Sequence, residues 1–168
     1  FELHWFRVLR HWLFRTYLGD FDRVFEFGCG SGYNLAALAE LYPDKQLMGL
    51  DWSEAAVALV ERIAASLDRR LTGRRFDFFN PDQNLELDKN SAAMTFAALE
   101  QTGTKSAPFI DWLLEKKPGL VISMEPALEL YDPIAPSAAQ TIFEWFRLSH
   151  ESVTGRDGYQ DFYKKECT

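Results

Sequence analysis

Cysteine is nearly absent from this chain: two in 168 residues, Cys29 and Cys167. Two thiols so far apart make neither a disulfide framework nor a zinc site. Histidine is scarce too, with only His4, His11 and His150. His4 and His11 stand two helical turns apart, but no third ligand follows at a metal spacing, so no metal is expected. No apolar run approaches the ~18 residues of a membrane-spanning helix, and no secretory signal is visible. Cations are outnumbered, with 18 Lys and Arg against 25 Asp and Glu, for a net charge of −7. Contact with phosphates needs clustered cations, so nucleic acid is a poor partner for such a chain. Arg7, Arg10, Arg15 and Arg23 are its basic cluster near the start. Repeats and low-complexity segments are missing as well. These absences predict a protein of the reducing cytoplasm, with no membrane and no metal. The chain opens at Phe1 rather than Met, which reads as a piece of a longer or processed polypeptide.

Apolar residues make up 47% of the chain and charged ones 26%, the balance of a globular domain with a real core. Residues 2–18 have the spacing of an amphipathic, aromatic-rich helix, with Trp5, Leu9, Trp12, Leu13 and Tyr17 recurring on one side. Strands are predicted over 23–27, 46–51, 74–79, 91–98 and 119–124. Helices are predicted over 33–41, from an N-cap at Ser53 to about 67, over 107–116 and over 137–151. A polar loop with Asn80, Pro81, Asp82 and Asn84 follows the third strand. The tail 152–168 is weakly patterned. Strands alternating with helices predict an α/β fold with a parallel sheet and right-handed crossovers.

The densest signal is Val24-Phe25-Glu26-Phe27-Gly28-Cys29-Gly30-Ser31-Gly32-Tyr33-Asn34. An apolar strand runs into three glycines and then into a helix. That layout brings backbone close to a polar or anionic ligand. A dinucleotide fingerprint needs its third glycine at position 33, where this chain has Tyr33. The pattern is E-x-G-x-G-x-G instead. It closely resembles motif I of the class I S-adenosylmethionine-dependent methyltransferases. The resemblance covers about residues 20–130. It implies a three-layer α/β sandwich with a mostly parallel central sheet, preceded by the N-terminal helix. On this reading 1–168 is a single domain. The family normally adds two further strands, the last pair forming an antiparallel edge. None is legible here, so the C-terminal part is expected to be incomplete.

Each candidate residue has a plainer alternative. An ionised Glu26 in a buried strand is costly without a partner. The resemblance gives it the methionine end of the cofactor, together with Gly28, Cys29, Gly30, Gly32 and Asn34. The plainer reading of Glu26 is a carboxylate that caps a loop. Cys29 stands at a helix start, where a thiol pKa can fall, but no covalent role is expected of it. Asp51 ends the second strand and can accept both hydroxyls of a ribose; the alternative is a solvated strand-end acid. Trp52 is placed to stack on adenine or to pack in the core. By resemblance Asp77 and Phe78 take the adenine edge; a local turn bond is the alternative for Asp77.

Glu100 and Gln101 follow the fourth strand and should face the reaction site. Gln101 cannot act as a base, whereas Glu100 can, and Glu100 is therefore the catalytic candidate. Tyr17, Glu125 and Tyr131 are the substrate-contact candidates, with Glu129 and Asp132 in the same acidic loop. His4 and Trp12 belong to a helix that in relatives often covers the cofactor. The Asn/Asp-Pro-Pro-Tyr motif of nucleic-acid amine methyltransferases is absent after the fourth strand. The expected activity is methyl transfer from S-adenosylmethionine to a small-molecule acceptor. Two alternatives are a non-catalytic module of the same fold and a nicotinamide-dependent oxidoreductase, the latter opposed by Tyr33.

Overall fold

The computed structural model describes residues 2–67, 70–125 and 147–149. In chain order it contains α1 (Glu2–Tyr17), β1 (Arg23–Phe27), α2 (Tyr33–Leu41), β2 (Gln46–Asp51), α3 (Glu54–Leu67) and β3 (Leu71–Arg75). Then follow β4 (Ser91–Phe96), a 3-10 turn over Leu99–Lys105, α4 (Ala107–Lys116), β5 (Leu120–Met124) and β6 (Arg147–Ser149). The sheet has the order β3-β2-β1-β4-β5-β6. The first five strands are parallel, and β6 runs antiparallel to β5.

Strand β1 shows why the sheet is covered on both sides. Side chains alternate between faces along a strand. Val24 joins a cluster with Leu13, Phe14 and Leu18 of the α1 region, Leu35 and Leu38 of α2 and Val60 of α3. Phe25 and Phe27 join the opposite cluster, with Phe76, Phe78, Phe109 and Trp112. Both faces of β1 are therefore apolar, as a parallel sheet buried between helix layers requires. Glu26 lies on the same face as Val24, toward α2.

Register then builds an edge. Phe27 pairs with Leu50 on one side and with Thr95 on the other. The residues that follow, Gly28, Asp51 and the turn after Phe96, emerge together at the carboxyl ends of the strands. Ligands gather at that edge in open parallel sheets.

Three boundaries differ from the sequence expectation. The third strand is Leu71–Arg75, not 74–79. Phe76 and Phe78 are apolar because they pack edge-on against Phe27, Phe109 and each other, from a loop rather than a strand. Strand β4 stops at Phe96, because Ala97 turns into the left-handed region with φ 49°. Residues 147–149 form a strand where a helix over 137–151 was expected. Val121 pairs with Ser149 and Ser123 with Arg147, so an antiparallel edge exists after all. Pairing offered by the open side of β5 decides this, not the local helical pattern. The remainder of that predicted helix lies outside the described residues.

Phe27 is fully buried, with ring centroids of Phe76 and Phe109 at 4.9 Å and of Trp112 at 5.6 Å. Phe27→Ala should cost ~3–5 kcal/mol of stability, measured by urea unfolding. A loss below about 1 kcal/mol would show that this cluster does not anchor the sheet.

Candidate functional site

Three backbone bonds shape the glycine loop. The N–H groups of Gly28 and Cys29 donate to the Leu50 carbonyl at 2.7 and 3.1 Å. The Gly30 N–H donates to Asp51 Oδ2 at 2.9 Å. The loop between β1 and α2 is thereby pinned to the end of β2. Gly28 has φ 73°, and a Cβ there would stand 2.4 Å from the Ala98 Cβ. Only glycine allows this approach. At Gly30 the space around an added Cβ is open, so the loop presents bare backbone to the edge of the sheet.

Asp51 is buried and bonded twice: Oδ2 accepts from Gly30 N–H and Oδ1 from Ser53 N–H at 2.9 Å. It is neither a solvated strand-end acid nor an isolated charge. Trp52, beside it, is 70% exposed, so core packing does not account for it.

Glu26 is only 2% exposed. Its Oε1 accepts from Asn34 Nδ2 at 2.6 Å, and its Oε2 is buried with no partner. Burial pushes its pKa up to about 8, against the pull of Asn34 and Arg10 and with a further push from Asp51. Burial, with Glu26 and Asp51 nearby, likewise raises the Cys29 thiol to about 12. Desolvation outweighs the helix start there, and Cys29 stays a neutral thiol without nucleophilic character.

Arg10 is the site residue that the sequence reading passed over. It is 7% exposed and its guanidinium donates to Asn34 Oδ1 at 3.3 Å. It also lies over the Tyr33 ring at 4.0 Å. The signal was available: Arg10 precedes Leu13, Phe14 and Tyr17 at helical spacing and so stands on the apolar face of α1. An arginine there needs a polar destination.

Of the other candidates, Asp77 is exposed and accepts from Phe79 N–H at 2.8 Å, the local turn bond. Phe78 is buried against Phe76 and Phe109. Glu100 is exposed, with its N–H donating to Glu125 Oε2 at 3.3 Å. Gln101 Nε2 donates to the Ala97 carbonyl at 2.9 Å, which ties its side chain to its own turn. Burial raises the pKa of Glu125, and its Oε1 is buried without a partner. Tyr17 ends α1, edge-on to Trp12, and packs with the α1–α2 core cluster. It is seven residues beyond Arg10, ~10 Å further down the helix axis at 1.5 Å per residue. Tyr131, Glu129 and Asp132 lie outside the described residues, as does the His4 side chain.

A cleft of about 620 Å3 opens at the opposite, amino end of the strands, between Arg23, Tyr42, Lys45, Arg70 and Asp88. Its charges hold the fold: Arg23 pairs with Asp88 at 2.8 Å, and Lys45 Nζ donates to the Gly19 and Phe21 carbonyls. Among the described residues no group of three or more His, Cys, Asp or Glu is arranged to hold a metal ion. No helix among them is long and apolar enough to cross a membrane.

Residues 24–109 match a family profile described as "Methyltransferase domain". A release factor glutamine methyltransferase of Bacteroides thetaiotaomicron is 29% identical over 118 residues, which are 69% of this chain and 42% of that protein. The chain thus spans about two-fifths of the length of that relative. Among solved structures, the methyltransferase domain of bacterial CtHen1-C superposes with a TM-score of 0.62 at 18% identity, over 91% of this chain and 76% of the other. The O-methyltransferase of a trans-AT PKS multienzyme of Brevibacillus brevis, in complex with S-adenosyl-L-homocysteine, gives 0.52 at 20% identity, over 62% and 35%. At these identities the likeness shows the fold.

Glu26 provides a test of the electrostatics. In the folded chain it keeps its proton up to about pH 8; unfolded, it loses it near ~4.3. The folded state binds more protons between those values, so stability is full below the lower one and falls as pH rises through the upper one. Each pH unit costs about 1.4 kcal/mol, several kcal/mol across the window. Glu26→Gln should remove this slope, measured by urea unfolding at pH 5 and pH 8.5. Equal slopes in both proteins would contradict the buried, protonated carboxyl.

Proposed function

Because this chain belongs to the methyltransferase domain family, we propose that it binds S-adenosylmethionine at the carboxyl edge of β1, β2 and β4 and methylates a small-molecule acceptor. The observation that carries this reading is the double clamp on Asp51 beside open backbone at Gly30. A carboxylate fixed by two N–H groups still has lone pairs to offer a vicinal diol. The cradle at Gly28–Gly32 and the unpartnered Glu26 Oε2 also fit such a ligand.

The residues divide the work. Glu26, Asn34 and the loop Gly28-Cys29-Gly30 with Gly32 hold the methionine end. Asp51 holds the ribose, and exposed Trp52 lies flat against the adenine. The turn at Asp77 and Phe78 meets the adenine edge. Glu100 and Gln101 border the site after β4. The bound sulfonium supplies an already activated methyl group. The chain has only to align a nucleophile and exclude water, and such positioning supplies ~7–11 kcal/mol. Where the acceptor must lose a proton, Glu125 is the better placed base. It is half-buried, burial raises its pKa, and its buried Oε1 lacks a partner, whereas Glu100 is exposed. A net charge of −7 favours a small molecule over a polyanion as acceptor. We read the described elements as parts of one domain, since both core clusters share one sheet.

Asp51→Ala should weaken binding of S-adenosylhomocysteine tenfold or more, about 1.4 kcal/mol, by calorimetric titration with NADH as a control. Asp51→Asn, which keeps one acceptor for the loop N–H groups, should show the same direction with less disturbance. Unchanged affinity in a folded variant would remove the ribose assignment. Binding of NADH alone would replace the cofactor.

A further inference from the structure

We propose that the outward face of α1, the stripe Trp5, Val8 and Trp12 with Arg15 beside it, attaches the protein to an anionic lipid surface. The rings lie at the headgroup boundary and the guanidinium groups meet lipid phosphate. This surface faces away from the ligand edge of the sheet and does not depend on the donor reading.

Helix α1 has two apolar faces where a surface helix has one. On the inner face Leu13 and Phe14 are fully buried in the cluster shared with α2 and α3, and Arg10 reaches Asn34 from the same side. The sequence reading groups Trp5 and Trp12 with that face, yet both turn outward. Val8 stands two residues before Arg10 and Trp12 two after it, and two residues are a rotation of ~200°, to the far side of the helix. Val8 is 63% exposed, Trp12 48% and Trp5 36%. The Trp12 ring is held edge-on to Tyr17 in this outward position. Trp5, Val8 and Trp12 recur at i, i+3 and i+7, so they form one stripe. A single exposed apolar side chain needs no explanation, but a contiguous stripe with two tryptophans does.

Charge and shape select what covers it. From Trp5 to Tyr17 the helix carries three arginines and no acid, in a chain of net charge −7. Arg15 is exposed and follows Trp12 by three residues, on the side of the stripe; Arg7 is exposed on its flank. Tryptophan beside arginine is the composition of a helix lying in an anionic membrane interface. Over its 16 residues α1 is a convex rod ~24 Å long, a shape that suits a yielding, planar layer. A second copy fits poorly: a symmetric contact would set this face against itself, cation against cation with no acid between. The negative charge elsewhere opposes approach, but salt screens it within ~8 Å, so the groups at the contact decide. Lying on the surface requires no membrane-crossing helix, and the described residues contain none.

Co-sedimentation of the full chain with lipid vesicles tests this. One set is phosphatidylcholine alone; the other contains about one-third phosphatidylglycerol, to supply anionic headgroups. The mixed vesicles should bind at least tenfold more tightly, less so as salt is raised, with tryptophan emission moved to shorter wavelength. Trp5→Ser with Val8→Ser should weaken that binding tenfold or more. Arg7→Glu with Arg15→Glu should reduce it to the level of neutral vesicles. All four positions are exposed, so both variants should keep the wild-type urea midpoint; if one pair does not fold, the other decides. Four results would each overturn the assignment. The wild-type chain may leave mixed vesicles unbound. It may bind neutral and mixed vesicles equally. Folded variants may bind as the wild type does, which would place the contact on another face. Sedimentation equilibrium may show a dimer that Trp5→Ser with Val8→Ser dissociates, without vesicle binding, which would give the stripe to a second copy.

Discussion

The attachment of the glycine loop to the end of β2 governs the rest of the site. Gly28 and Cys29 share the Leu50 carbonyl, and Gly30 is held by the Asp51 carboxylate. Without these bonds the loop would be three glycines with high conformational entropy. With them it is a fixed strip of backbone. The same carboxylate oxygens that fix it face the edge where the sheet gathers its ligand-side groups. One side chain thus fixes both the glycine loop and the start of the turn after β2, through its two oxygens.

Around that attachment lies a concentration of buried ionisable groups. Glu26, Asp51 and Arg10 are all largely removed from water. The chain tempers this with Asn34 and with backbone N–H groups rather than with ion pairs. The result is a site whose polar groups are held by fixed hydrogen bonds in a low-dielectric setting.

Much of this was legible in the sequence. Strand β1, the loop, α2, β2 and α3 follow from an apolar run, glycine spacing and a cap at Ser53, all local signals. Strand β3 was read too late in the chain because Phe76 and Phe78 look like strand residues. Their apolarity belongs to a cluster assembled with Phe109 and Trp112 from over 30 positions away. Strand β6 is only three residues long, and its existence depends on the free edge of β5. Arg10 was visible as part of a basic cluster, yet its role required knowing that the apolar face of α1 meets Asn34. Glu26 and Asp51 were legible as candidates because a carboxylate at a strand end is conspicuous. The clamp that holds Asp51 was not, because backbone donors leave no trace in a sequence.

Strand β6 also bears on how the chain behaves at high concentration. The two outer edges of the sheet are guarded differently. At one side β3 is Leu-Thr-Gly-Arg-Arg, short and ending in two cations, which discourages strand addition by another molecule. At the other, the strand just inside the edge, β5, is Leu-Val-Ile-Ser-Met, uncharged and β-prone. It has the composition of a self-associating segment. Three residues of β6 occupy its open hydrogen-bonding side. A chain cut before Arg147 would keep the glycine loop and its ligand-side groups intact while baring an adhesive edge. Its first failure would then be precipitation, and loss of colloidal stability would precede any loss of recognition.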